Sequence, residues 1–126
     1  TAKPLVKKFN KELKIDNAFI EIPSENIDLN DRQDWIKKII KTNKKDLPDY
    51  VKLWSEDIYK KTISFKKNSI IFTHFMVINA LISEITSSDT LLYFHPGYTS
   101  MVKIKIAENK IQSFLIQESE KTHINI

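Results

Sequence analysis

Three places in this chain hold residue types that could do chemistry. The first is Thr73-His74, where the apolar run Ser69-Ile-Ile-Phe-Thr73 ends, a histidine follows, and the apolar stretch 75–85 begins. A continuous apolar run of this length fits a strand buried on both faces. The stretch after it, apolar nearly all round, fits a helix buried against a sheet. Open α/β sheets bind ligands at the carboxyl ends of their strands, and a helix start offers free N–H groups to an anion. A histidine at that corner can donate hydrogen bonds to a phosphoryl oxygen and stabilise its charge. On position alone, a structural histidine at a strand end is the commoner reading.

The second place is Glu21, within the short apolar run Phe19-Ile-Glu-Ile before Pro23. A carboxyl group in apolar surroundings holds its proton more tightly and can act as a general acid near neutral pH. A solvent-facing Glu on an edge strand fits the same position. The third is the turn Phe94-His-Pro-Gly-Tyr-Thr-Ser100, which contains Gly97, the only glycine, and predicts a positive φ or a close backbone approach there. His95 in this turn could be a ligand, although loop histidines rarely are; His123, near the end of the chain, is assigned no role. His74, His95 and Glu21 have no metal-ligand spacing, so the sequence gives no reason to expect a metal.

Composition narrows the chemistry further. With one Gly in 126 residues, neither G-x-G-x-x-G nor G-x-x-x-x-G-K-[ST] can be written. With no Cys, thiol nucleophiles, disulfides and cysteine-ligated zinc or iron–sulfur sites are excluded. No G-x-S-x-G elbow supports serine hydrolysis. Apolar content of 41% suits a folded domain, and the length suits a single one over 1–126. No apolar run approaches the roughly 20 residues of a membrane span, and no signal-peptide pattern is present. The expected location is therefore cytoplasmic, with no membrane partner. Because the chain opens Thr-Ala-Lys-Pro without Met, a processed protein or a piece of a longer one is expected.

Charge is uneven. Residues 1–67 carry 16 basic and 11 acidic side chains, residues 68–126 four and five. Nineteen of the 20 basic residues are Lys, many in pairs such as Lys37-Lys38 and Lys66-Lys67, and Arg32 is the only arginine. Nucleic-acid readers lean on Arg for bidentate contacts, so the pairs are read first as solvated helix faces, and a basic nucleic-acid-binding module is kept as an alternative.

The elements that must position these residues follow from periodicity. Leu5, Val6, Phe9 and Leu13 predict a helix over 3–13. Residues 18–22 read as a brief strand stopped by Pro23, and 24–29 as a loop. Asn30 and Gln33 have capping-box spacing ahead of a helix bearing Trp35, Ile36, Ile39 and Ile40. Asp46-Leu-Pro48 opens a third helix, with Val51, Trp54 and Ile58 inward and Tyr50 and Leu53 beside them. After the strand 69–73 and the helix 75–85, residues 101–106 alternate as a half-wet strand, with 111–116 as its hairpin partner across Glu108-Asn-Lys. The sum predicts an α/β protein of three layers, αβα, around a mixed, mostly parallel sheet.

The three chemical spots also stand in a familiar order. Ile70-Ile-Phe-Thr-His74-Phe-Met-Val-Ile-Asn-Ala-Leu81 resembles the segment of the histidine phosphatase superfamily, the phosphoglycerate-mutase-like proteins, that carries the second catalytic histidine. Phe19-Ile-Glu21-Ile resembles its acid-bearing strand, Phe94–Ser100 and the strand after it its late turn, and Thr1-Ala-Lys-Pro-Leu the end of its Arg-Ala-x-x-Thr-Ala helix. The resemblance implies that His74 hydrogen-bonds the transferred phosphoryl group and that Glu21 protonates the leaving oxygen and then activates water. It implies that Phe75, through its backbone N–H, and Tyr98 bind substrate. The substrate is then a small phosphorylated molecule or phosphate, and no metal or other cofactor is needed. The chemistry runs through a phosphohistidine, which splits attack on phosphorus into two steps.

The departures are definite. No Arg-His-Gly triplet supplies the nucleophile, the clamping arginines are missing, Phe75 stands where Gly is common, and Pro23-Ser-Glu25 replaces Gly-x-x-Glu-Gly after Glu21. The resemblance therefore describes a fold incomplete at its N-terminus, with a nucleophile outside this chain and no activity in the chain alone. It leaves 69–73 with an open apolar edge that would pair with an N-terminal fragment or with a second copy in a homo-oligomer. A non-catalytic remnant that binds a phosphorylated ligand or a protein through that edge is the other alternative.

Overall fold

In a computed structural model, the structure describes residues 1–24 and 26–119. The protein is a small α/β fold. Four helices and two short 3-10 turns precede a two-stranded antiparallel sheet: α1 (Lys3–Phe9), α2 (Arg32–Lys41), α3 (Asp49–Ile63), α4 (Phe75–Thr86), β1 (Met101–Ala107) and β2 (Lys110–Gln117).

The core lies between α3 and α4. On α3, Val51, Trp54, Ser55, Ile58 and Thr62 recur at three- and four-residue intervals and are buried, while Tyr50 and Leu53 face out. On α4, Met76, Val77 and Ala80 pack against them, and Ile82 is also buried. Leu47, Leu91 and Ile39 of α2 close the sides. The polar groups drawn into this core are bonded. Ser55 Oγ donates to Glu84 Oε1 at 3.1 Å, Lys44 Nζ to the same oxygen at 3.2 Å, and Ser83 Oγ to the Thr90 carbonyl at 2.6 Å. Buried polar groups left without such partners would be costly.

The helix boundaries differ from the expected ones for local reasons. α1 stops at Phe9 because Asn10 turns left-handed (φ 47°), and none of its residues is buried. α2 begins at Arg32 behind Asp31, so Asn30 is not its cap. Pro48 sits at the N-cap of α3, one residue before the first turn, and Lys44–Asp46 form a 3-10 turn ahead of it.

The larger difference is the sheet. The three-layer, mostly parallel arrangement does not form among the described residues, because neither inner strand acquires a ladder. Around 18–22, the backbone acceptors are taken by side chains. Trp54 Nε1 donates to the Ile20 carbonyl at 3.2 Å and Thr73 Oγ1 to the Phe19 carbonyl at 2.9 Å. Asn17–Phe19 wind into a 3-10 turn capped by Asp16, and Phe19 stacks on Phe65 at 6.1 Å. Residues 69–73 lie outside any helix or strand and no backbone–backbone hydrogen bond reaches them among the described residues. Helix α4 accordingly packs on α3 rather than on a sheet.

The hairpin forms as the alternation predicts. Val102, Ile104 and Ile106 pair with Ile116, Phe114 and Ile111 on one half-buried face, and Lys103 and Lys105 point to water. Glu108 (φ 53°) and Asn109 (φ 58°) supply the two left-handed residues that a tight hairpin turn requires.

Candidate functional site

His74 is the N-cap of α4. Its backbone is extended (φ −110°, ψ 165°), its carbonyl accepts the Ile78 N–H at 3.2 Å, and its side chain makes no capping bond. The imidazole is exposed. The amides of the first α4 turn, that of Phe75 included, have no carbonyl one turn earlier to bond, so the end that His74 occupies is rich in donors.

Two segments are brought to this end. The Thr73 hydroxyl bond to Phe19 ties the Glu21 segment beside the residue that precedes His74. Glu21 itself is half-buried, less enclosed than its apolar neighbours suggest, and its Oε1 accepts the N–H of Ile22 at 2.9 Å rather than meeting the imidazole. From the other side comes the turn after Leu91. Phe75 and His95 are in ring contact, with centroids 5.9 Å apart at 47°. His74, Glu21 and His95 thus come from segments that converge on the start of α4.

The residue that holds the turn in place is one the sequence reading passed over. Asn79 is wholly buried in α4, and its Oδ1 accepts from the N–H groups of Tyr93 at 2.8 Å and Phe94 at 2.9 Å, while Nδ2 donates to the Phe75 carbonyl at 3.2 Å. A lone amide in an otherwise apolar helical stretch was the available signal, because such a group must find partners when buried.

The turn departs from expectation at its glycine. Gly97 has no positive φ; the left-handed residue is Thr99 (φ 67°), and Ser100 N–H bonds back to the Gly97 carbonyl at 3.1 Å. Tyr98, at the tip, is largely exposed. The expected Pro23-Ser-Glu25 stretch falls partly, and His123 wholly, outside the described residues.

His74 is exposed to solvent. A cleft of about 340 Å³ lies between α3 and α4, lined by Lys44, Ser55, Glu84 and Leu91, and one of about 540 Å³ lies beside Asn17, Asp57 and Lys61. Neither is lined by His74 or Glu21. Among the described residues there is no cluster of three His, Cys, Asp or Glu placed to hold a metal ion, and no helix long and apolar enough to cross a membrane. Several lysines are matched by carboxylates. Lys37 pairs with Asp34, Lys52 with Asp49, Lys60 with Glu56 and Lys61 with Asp16, the last at 2.9 Å. These pairs reduce the free positive charge that a nucleic-acid backbone would need.

Comparison of the chain with protein-family models, with curated proteins and with solved structures finds no match.

Proposed function

We propose that this chain carries the phosphoryl-binding histidine and the acid of a phosphohistidine-type phosphomonoesterase domain, whose nucleophile is supplied by a segment outside these 126 residues. The observation that carries the reading is the convergence at α4: His74 caps its start, and Thr73 ties the Glu21 segment to the same end.

In this reading the His74 imidazole and the Phe75 N–H donate to the oxygens of a phosphoryl group, where negative charge accumulates in the transition state. Glu21 gives its proton to the departing oxygen of the ester; in the second step it takes a proton from the water that attacks the phosphoenzyme. Tyr98, exposed at the tip of the turn, would contact the rest of the substrate. Residues 69–73 would become a strand of a three-layer sheet, with the absent segment beside one of its edges. No metal enters this chemistry.

The test is hydrolysis of a generic aryl phosphate by the 126-residue chain and by a version extended upstream in its coding sequence. Turnover by the longer protein only, lost on His74→Ala, is the expected result. Turnover that survives His74→Ala, or an extension with no activity and no histidine able to attack phosphorus, would overturn the reading.

A further inference from the structure

The segment 69–73 presents an unusual surface. Ile70 is 72% exposed, Ile71 38% and Phe72 44%, three consecutive apolar side chains outside any helix or strand. Among the described residues no backbone–backbone bond reaches this segment, so no described segment pairs with its N–H and C=O groups. Such an edge pairs readily with another strand.

We infer that residues 69–73 form a two-fold, antiparallel β-pair with the same residues of a second copy of this chain, centred on Ile71. The occupant follows from the order of side chains, which is close to palindromic: hydroxyl, three apolar residues, hydroxyl. A two-fold pairing is self-complementary. It sets Ser69 against Thr73, Ile70 against Phe72, and Ile71 against its own copy, so like chemistry meets like at every rung. Charge selects the same direction. The segment is uncharged but follows Lys66-Lys67. A parallel, in-register pair would stack these lysines on one another, whereas the antiparallel register carries the two copies of Lys67 to opposite ends of the paired segment. The two copies of Ser69 then lie four residues apart along the strands, about 13 Å at about 3.3 Å per residue, so the lysines that precede them start from opposite ends, farther apart than the screening length of about 8 Å at physiological ionic strength. The inference rests on this segment alone and not on the phosphatase reading, since a strand has two edges and the pair uses one.

The absence of cysteine makes the register directly testable. At the centre of an antiparallel pair, opposed Cα atoms lie about 4.5–5.5 Å apart, within disulfide reach. Residue 70 and its copy are diagonal neighbours, about 7–8 Å apart and beyond it. The wild-type chain, measured by sedimentation at micromolar concentration, should have twice the monomer mass. Ile71→Cys should give a disulfide-linked dimer under mild oxidation, whereas Ile70→Cys and the remote exposed Leu29→Cys should not. Ile71→Asp, which opposes two carboxylates, should be monomeric with an unchanged circular dichroism spectrum, since the side chain is outside the core. A wild-type monomer, open-ended aggregates, a dimer undisturbed by Ile71→Asp, or equal cross-linking at all three positions would overturn the inference.

Discussion

Asn79→Leu tests how the turn that carries His95 is held against α4. The side chain is wholly buried and makes three bonds, accepting from Tyr93 and Phe94 and donating to the Phe75 carbonyl. Leucine keeps the branched shape and heavy-atom count and removes all three. A hydrogen bond contributes about 1 kcal/mol net, and more where the abandoned partner stays away from water, so the loss should be about 3 kcal/mol. For a chain of this size that corresponds to about 10 °C in Tm. Urea denaturation gives the free energy, and hydrogen exchange locates it: the amides of Tyr93 and Phe94 should lose protection beyond that of the core. A loss below about 0.5 kcal/mol, the level of an ordinary surface substitution, with those two amides still protected, would refute the argument that one amide anchors the turn.

Two further outcomes follow from local geometry. Lys61 and the N–H of Ala18 hold the Asp16 carboxyl below its ordinary 3.8, so the ion pair supports the fold above that value and is lost as pH falls through the lowered folded-state value. Asparagine can keep the cap on the 3-10 turn, so the stability advantage of wild type over Asp16→Asn should shrink as pH drops below 3.8; an advantage that is constant with pH would contradict this. Thr99 is β-branched at φ 67°, a conformation that costs roughly 1–2 kcal/mol for a residue with a Cβ. Thr99→Gly should therefore raise stability by about 1 kcal/mol in denaturant titration, and a destabilised variant would place a needed contact on the threonine.

The elements that were legible in the sequence are those whose apolar pattern is satisfied locally. The α3 stripe of Val51, Trp54 and Ile58 and the hairpin alternation from Val102 to Ile106 need only a neighbouring helix or an adjacent strand. The run Ser69-Ile-Ile-Phe-Thr73 has a strand's composition, but a ladder is a property of pairs, and no partner strand stands beside it among the described residues. The Phe19 and Ile20 carbonyls were claimed by the Thr73 hydroxyl and the Trp54 indole, a competition that periodicity does not register. At the site, the position of His74 at the start of a helix was readable, as was the order of Glu21, His74 and the late turn. The role of Asn79 and the contact of His95 with Phe75 were not, because both depend on a turn folding back across α4. Gly97 misled for a related reason: the turn places its left-handed residue two positions later.

The central claim is that His74 and Glu21 share one phosphoryl-transfer site with divided roles. It is tested most directly by comparing turnover of an aryl phosphate and an alkyl phosphate by the upstream-extended protein and its variants. His74→Ala should slow both substrates by about 10²–10³, as the loss of a charge-stabilising donor does. Glu21→Gln should slow the alkyl ester, whose leaving oxygen needs a proton, by about 10²–10⁴, and the aryl ester far less. Equal losses on the two esters in Glu21→Gln, or undiminished turnover in His74→Ala, would contradict the account.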